Sequence, residues 1–355
     1  LLPPFSTAAP SEIEAALALA GEAPFRAGQA QQWFWRRRAP SFDSMRTLGP
    51  RAREALSDCF VHSTVAPHLK RVADGGLTVK HLFRLQDNRT IETVVMHYPA
   101  TAGARARTTV CVSSQVGCPI GCSFCATGRS GFDRNLTEAE IVDQLLAVAR
   151  DLPADQGFPT NVVFMGMGEP MNNYRAVVGA IRRWADPTTL NFSPRRVTVS
   201  TIGLVPFIER LTAERLPVNL AISLHAPDDE LRSSMIPVNR KYPIAALVTA
   251  ARAHAERTGR RVSYEYVLLD GVNDRLDQAR NLASLVNHRL SHVNLIPMNP
   301  VDGSALRPPS RARAEAFQSV LQSAGISTTI RATRGLDIDA ACGQLRAREL
   351  QPAPA

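Results

Sequence analysis

Residues 111–128 read CVSSQVGCPIGCSFCATG and hold four of the chain's six cysteines. Cys118, Cys122 and Cys125 are spaced C-x3-C-x2-C, and Cys111 lies seven residues upstream on a short apolar run. Gly117, Pro119 and Gly121 mark the stretch as a loop able to fold three thiols around one point. Thiolates are soft ligands, and clustered thiolates select zinc or iron–sulfur clusters. A structural zinc site takes four protein ligands, whereas this loop offers only three compactly. Three thiolates on a four-iron cluster leave one iron open to another ligand. A zinc knuckle with a distant fourth ligand, or ordinary buried cysteines, are the competing readings of the same spacing.

Outward from this loop, the 355 residues are 45% hydrophobic and 21% charged, which suits one large α/β domain with or without a small accessory one. Six cysteines with four crowded together are not a secreted disulfide framework. The start, LLPPFSTAAP, lacks basic residues and is broken by prolines, unlike a signal peptide. No apolar run reaches membrane-spanning length. The expectation is a cytoplasmic protein with no membrane partner. Net charge is +9, from 41 basic and 32 acidic residues, and proteins this basic often meet nucleic acid. The lysines are Lys70, Lys80 and Lys241, so arginine carries nearly all the positive charge. Guanidinium stacks on bases and forks onto phosphates, which suits RNA; a genome rich in Arg, Ala and Pro codons would give the same composition.

Residues 11–65 read as helical, with Ser11 a candidate cap for the first helix and Ser41, Phe42 and Met45 opening another. Between them Trp33, Phe34 and Trp35 adjoin Arg36, Arg37 and Arg38. Such a run either contacts RNA by stacking and phosphate binding or is core beside a solvated face. Cys59 reads as inert packing. From Gly76 the period changes to two, Gln86-Asp87-Asn88 turns the chain, and residues 90–98 return as a strand. Glu92 stands in this strand, where a Glu ordinarily marks the exposed side of a sheet. After Ala104, strands at 110–113, 161–165, 196–200, 218–224, 262–269, 293–296 and 327–331 alternate with helices. One helix opens on a Thr137/Glu140 capping box; others span 174–184, 244–257, 273–288 and 310–324. Repeated β-α units predict an α/β fold with a parallel sheet closed into a partial (β/α)6 barrel. The expected division is a helical accessory domain (1–70), a β-hairpin linker (71–103), the barrel (104–345) and a disordered tail (346–355).

Barrels of this kind place their chemistry at the C-terminal strand ends. The cysteine loop follows the first strand, and Gly168 and Glu169 follow the second. Ser200 ends the third, Ser223, Leu224 and His225 end the fourth, and Asn299 follows the sixth. Together they would line one rim, where glycines let a ligand approach the backbone and Glu169 can hold an ammonium. Cys342 lies apart, in RATRGLDIDAACGQL. It reads either as a buried cysteine in a C-terminal helix or, bracketed by Gly335 and Gly343, as an exposed, mobile thiol.

From about Arg26 to Leu345 the chain resembles the bacterial radical S-adenosylmethionine (SAM) methyltransferases that act on an adenine of the large ribosomal RNA. The matching strings are IETVVM, CVSSQVGCPIGCSFCATG, GMGEP, VSTIG, SLHAP, MIPVNRKYP, LIPMNP and RATRGLDIDAACGQL. The resemblance implies that Cys118, Cys122 and Cys125 hold a 4Fe-4S cluster. It implies that Gly168, Glu169, Ser200, Ser223, Leu224, His225 and Asn299 contact SAM. It makes Cys342 the methyl-carrying cysteine, Cys111 the resolving thiol that forms a transient disulfide with it, and Glu92 the proton acceptor. It also implies 23S ribosomal RNA and transfer RNA as substrates, a one-electron reductant such as flavodoxin, and a monomer.

The expected chemistry explains these parts. Carbon 2 of adenine is electron-poor and cannot attack the methyl of SAM, whereas a thiolate can. Cys342 would take a methyl from one SAM. A second SAM, cleaved by one electron, would give the radical that removes hydrogen from that S-methyl group. The carbon radical would add to adenine, Glu92 would take the ring proton, and Cys111 would attack the Cys342 sulfur to free the RNA. The base must first be extruded from its stack. A related resistance enzyme that methylates carbon 8 shares the cysteine and SAM motifs; the Trp33–Arg38 region and the overall match favour carbon 2. A zinc-stabilised RNA-binding protein without catalysis is the alternative of another class.

Overall fold

The computed structural model describes residues 1–153, 157–286, 289–301 and 303–345. The expected disordered tail and the end of the helix expected over 273–288 lie outside the described residues. In chain order the strands are β1 (Val65–Ala73), β2 (Thr78–Leu85), β3 (Thr90–Tyr98), β4 (Arg107–Cys111), β5 (Gln115–Gly117), β6 (Phe132–Asn135), β7 (Asn161–Phe164), β8 (Val197–Thr201), β9 (Asn219–Ser223), β10 (Val262–Leu268), β11 (Ser291–Pro297) and β12 (Thr328–Ile330). β5 and β6 form a two-stranded ribbon, and the other ten make one sheet in sequential order. From β4 through β12 every pairing is parallel. Each crossover therefore advances one strand in the same direction. Right-handed crossovers then leave every helix on one outer face, and the twisted sheet curls into a partial barrel rather than a doubly wound layer. β4 and β7–β12 correspond to the seven strands expected after Ala104, one more than the six of a (β/α)6 barrel.

The strands near the centre are buried on both faces, as parallel sheets require: Leu220, Ala221 and Ile222 of β9 and Tyr264 and Tyr266 of β10 are inaccessible to solvent. The expected capping box is present. Thr137 Oγ1 accepts from the Glu140 amide, and the Glu140 carboxylate accepts from the Thr137 amide at 2.8 Å, opening the helix Glu138–Asp151. Ile141, Leu145 and Val148 lie on that helix's buried face.

The hairpin forms as β2 and β3 but does not stand alone. β3 pairs antiparallel with β4, matching Val94 to Cys111, so the hairpin extends the barrel sheet. β1, which the sequence did not announce, pairs with β2 and runs across residue 70. In the N-terminal region Pro10, not Ser11, sets the first helix: Pro occupies its first position and Glu12 accepts from the Ala9 amide at 2.6 Å. Residues Phe42–Ser44 make a single 3-10 turn rather than a helix. Phe34 and Trp35 are core, and Arg36 and Arg38 donate to the carbonyls of Pro187, Leu190, Ala149 and Gly157. The Trp33–Arg38 run is thus largely a seam onto the barrel; Arg37 stacks over the Trp33 ring at 4.5 Å. Among the described residues the helices Val205–Ala213 and Asp229–Met235 went unforeseen, as did the short turn of helix Ala126–Arg129. After β12 the chain makes only a short turn, Leu336–Ile338, so Cys342 sits in a loop and not in a helix. Among the described residues no helix is long and apolar enough to cross a membrane.

Candidate active site

The cysteine loop caps the barrel mouth. Its base is the β5–β6 ribbon, where Gly117 takes φ +76 against Gly131 with no room for a Cβ, and the Cys118 amide donates to the Gly131 carbonyl at 2.8 Å. Cys118, Cys122 and Cys125 all line one cavity of about 1000 Å³ up to its open mouth. Among the described residues no three His, Cys, Asp or Glu side chains close on a single metal ion. The thiols stand around a cavity instead of one point, an arrangement suited to a group larger than an ion. Burial pushes the Cys118 thiol up to about 12 and raises Cys122 well above the ordinary range. Thiolates here would need a positive partner, which a cationic metal centre would supply.

The GMGEP turn forms the adjoining wall. Gly168 takes φ +97, and a Cβ there would lie 2.5 Å from Gln115 Cβ, so only glycine fits. Glu169 is buried; Oε1 accepts from the Met171 amide at 2.9 Å and Oε2 from the Ile202 amide at 2.8 Å. Among the described residues no cationic side chain pairs with it. Burial raises its pKa to about 7 against those hydrogen bonds. A buried carboxylate so placed suits the ammonium of SAM. Ser200 and Ser223 lie on the same wall with their hydroxyls 3.5 Å apart. His225, at φ +60, accepts from the Val267 amide through Nδ1 at 3.0 Å, and burial holds its pKa down to about 3. The imidazole is therefore neutral, with its proton on Nε2. Asn299 donates to the Cys342 carbonyl at 2.9 Å while its Oδ1 is buried without a hydrogen-bond partner. Leu224 is not on the wall: its side chain is core, its amide donates to the Glu265 carbonyl, and its own carbonyl accepts from Arg232.

Arg232 was not singled out from sequence. Fully buried, it donates to the carbonyls of Leu224, Ser223 and Ile202 and to Asn239 Oδ1, tying the ends of β8 and β9 together. Ser113 was also missed. Its hydroxyl donates to the Glu92 carbonyl and accepts from the Met167 amide, joining β3 to the GMGEP turn. Arg232 lies outside the matching strings, and Ser113, though inside the cysteine string, has no role its neighbours suggest; both act mainly on backbone groups that only the fold brings near.

Cys342 is exposed to cavity solvent and lies on the wall shared by two cavities. The first is the cysteine cavity. The second, about 1760 Å³, holds Cys111, Arg107, Arg261 and Arg334. The Cys342 segment is held against the cysteine loop: the Ala126 amide donates to the Gly343 carbonyl and Thr127 Oγ1 to that of Leu345. Burial raises the Cys342 thiol while Arg331 opposes the shift. Burial also pushes Cys111 up to about 12. All six cysteines are free, so a Cys111–Cys342 disulfide is not a resident bond. Glu92 is not on the exposed side of the sheet: its side chain is 1% accessible and pairs with Lys80 at 2.9 Å. It lines neither cavity.

Known proteins match this arrangement along the whole chain. The radical SAM superfamily model matches residues 112–283, and the ribosomal RNA large subunit methyltransferase N-terminal domain matches residues 8–61. A probable dual-specificity RNA methyltransferase RlmN of Moorella thermoacetica is 48% identical over 339 residues, 95% of each chain. The Thermobifida fusca protein of the same name is 47% identical and covers 95% of this chain and 93% of its own. The chain belongs to the RlmN family. A crystal structure of a radical SAM methyltransferase from Sphaerobacter thermophilus superposes with a TM-score of 0.92 at 47% identity, over 98% of this chain and 100% of that one. An RlmN-family fold implies SAM and a 4Fe-4S cluster, and the residues present fit both: three thiols around one cavity, an unpaired buried carboxylate and an orphaned Asn299 oxygen. The match of the N-terminal domain and the RlmN relatives do not favour the carbon-8 resistance reading. They speak equally against a non-catalytic zinc protein.

Proposed function

We propose that this RNA methyltransferase methylates carbon 2 of an adenine in 23S ribosomal RNA, and in some transfer RNAs, through an S-methyl group on Cys342, with two SAM molecules per turnover. The observation that carries the reading is that Cys342 stands on the wall common to the cysteine cavity and the arginine-rich cavity. A methyl carrier has to face the methyl source and the methyl acceptor, and this position faces both.

Cys118, Cys122 and Cys125 would hold the cluster, which when bound supplies the single electron that cleaves SAM. Glu169 would take the SAM ammonium, Ser200 and Ser223 its hydroxyls, and Asn299 Oδ1 a donor of the ligand. Gly168, Leu224 and His225 would contribute backbone and wall, Leu224 through its carbonyl rather than its side chain. The second cavity would receive the extruded adenosine, its arginines meeting phosphate. Cys342 bears the methyl as a thioether, Glu92 accepts the ring proton, and the Cys111 thiol, also in the second cavity, resolves the adduct. A one-electron reductant of the flavodoxin kind would serve a monomeric enzyme.

Cys111→Ala tests the reading. Incubated with SAM, reductant and RNA, this variant is expected to give a protein–RNA adduct on a denaturing gel that disappears in Cys111→Ala/Cys342→Ala. Multiple turnover without an adduct would defeat the assignment.

A further inference from the structure

The mechanism leaves one buried cation without a task. Lys80 is one of three lysines in the chain. Its side chain is 6% accessible, and its Nζ lies 2.9 Å from Glu92 Oε1 and 3.2 Å from the carbonyl oxygen of Asp339. The two partners belong to different parts of the molecule: Glu92 is on β3, and Asp339 stands three residues before Cys342.

The sheet register places all of this on one face. Lys80 of β2 lies opposite Val94 of β3, and Val94 lies opposite Cys111 of β4, so the three form one cross-strand row. Glu92 is two residues from Val94 and shares its face, because side chains alternate along a strand. Val94 and Cys111 line the second cavity, with Glu92 one row deeper. The Cys342 loop is tied to the same hairpin at its start, where Asp74 Oδ2 accepts from the Gly335 amide at 2.9 Å and Arg334 donates to the His97 carbonyl at 2.8 Å. Of these ties to the hairpin side, the one from Lys80 meets the loop nearest Cys342 in sequence. Asp339 adopts φ +51, outside the range ordinary residues prefer, in the conformation that presents its carbonyl to this ammonium.

A buried carboxylate is costly unless it is hydrogen-bonded or paired with a cation, and for Glu92 Lys80 is the cation. The ammonium has three donors to satisfy, and beyond Glu92 it reaches the Asp339 carbonyl, so one group bridges the hairpin and the Cys342 loop. We propose that Lys80 is a positioning residue for methyl transfer: one ammonium holds both Glu92 and the loop of Cys342, so that proton acceptor and methyl carrier are set relative to each other. The inference rests on the roles given above to Glu92 and Cys342. The step it serves is the loss of the adenine carbon-2 proton: the C–H bond breaks, its electron pair stays with the adduct, and a Glu92 oxygen takes the proton.

The test compares Lys80→Met, Lys80→Arg, Glu92→Gln and Lys80→Met/Glu92→Gln, each with its cluster, on RNA bearing hydrogen or deuterium at the target carbon. Positioned general bases contribute about 10²–10⁴ in rate. Lys80→Met is therefore expected to lower turnover about a hundredfold, to accumulate the covalent protein–RNA adduct and to show a primary deuterium isotope effect. Methylation of Cys342 by SAM should continue, Lys80→Arg should recover much of the turnover, and the double variant should be no slower than Glu92→Gln. Wild-type turnover in Lys80→Met would overturn the inference. So would a Lys80→Met defect that adds in full to that of Glu92→Gln, or a loss of Cys342 methylation with no adduct. The double variant, lacking both charges, separates these outcomes from misfolding. Full activity of Glu92→Gln would instead remove the proton-acceptor role itself, whatever Lys80 does.

Discussion

Arg232 carries the heaviest structural duty of any single side chain at the barrel mouth. Its guanidinium supplies four donations to Leu224, Ser223, Ile202 and Asn239 in a site without solvent. Ile202 in turn donates to Glu169, so the arginine shapes the surroundings of that carboxylate at one remove. Arg232→Met would strand several buried acceptors at about 1–3 kcal/mol each. Urea unfolding of the variant should show a loss of about 3–5 kcal/mol, with SAM binding weakened in the fraction that folds. A loss under about 1 kcal/mol would mean that water or a neighbour replaces the guanidinium. The sequence made the cysteines, Gly168 and Glu169 legible because each sits in a short string whose chemistry is local. Arg232, Ser113 and Lys80 were not legible as site residues. Their partners are mostly backbone groups from elsewhere in the chain, with Asn239 and Glu92 besides, and local sequence does not show which of them meet.

At the scale of elements, the barrel strands were legible because they are apolar runs punctuated by helices, and their bounds shifted by at most three residues. β1 was missed because it lacks alternation: its burial runs irregularly, and its register slips between Pro67 and Leu69. The helix Val205–Ala213 was hidden by Pro206, which reads as a breaker but occupies the first turn, where its missing amide matters least. The C-terminal loop carries Cys342, and the bonds that hold it to the neighbouring sheet include those of Lys80, Arg334 and Asp74. Asp74 accepts from both Thr78 Oγ1 and the Gly335 amide, fixing where the loop leaves the sheet. Asp74→Ala is expected to speed amide hydrogen exchange across 335–343 by about tenfold, the equivalent of one hydrogen bond of about 1.4 kcal/mol. Iron content and exchange in β7–β10 should not change. Equal exchange in the loop would show that Lys80 and Arg334 hold it without Asp74.

Over the whole molecule, the sheet places the cysteine cavity and the arginine-rich cavity on two sides of one wall, where the proposed function needs a methyl source and a methyl acceptor. The parallel strands bring Glu169, Ser200, Ser223 and Asn299 to one mouth, and the added antiparallel strands bring Cys111, Val94 and Lys80 to the neighbouring face. This second half of the site was invisible to composition and periodicity; only the resemblance pointed to Cys111, Glu92 and Cys342. The arginines Arg36 and Arg38, read as candidate RNA contacts, are spent on the seam that fixes the N-terminal helices to the barrel. The central claim is that the methyl crosses the wall on Cys342 and reaches carbon 2 as a carbon radical. Supplying SAM with a fully deuterated methyl group and analysing the RNA product by mass spectrometry tests it directly. One deuterium leaves when the S-methyl group is activated, and one hydrogen enters when the carbon–sulfur bond is broken. The account predicts a methyl at adenine carbon 2 with two deuteriums and one hydrogen. A methyl with all three deuteriums, or one located at carbon 8, would contradict it.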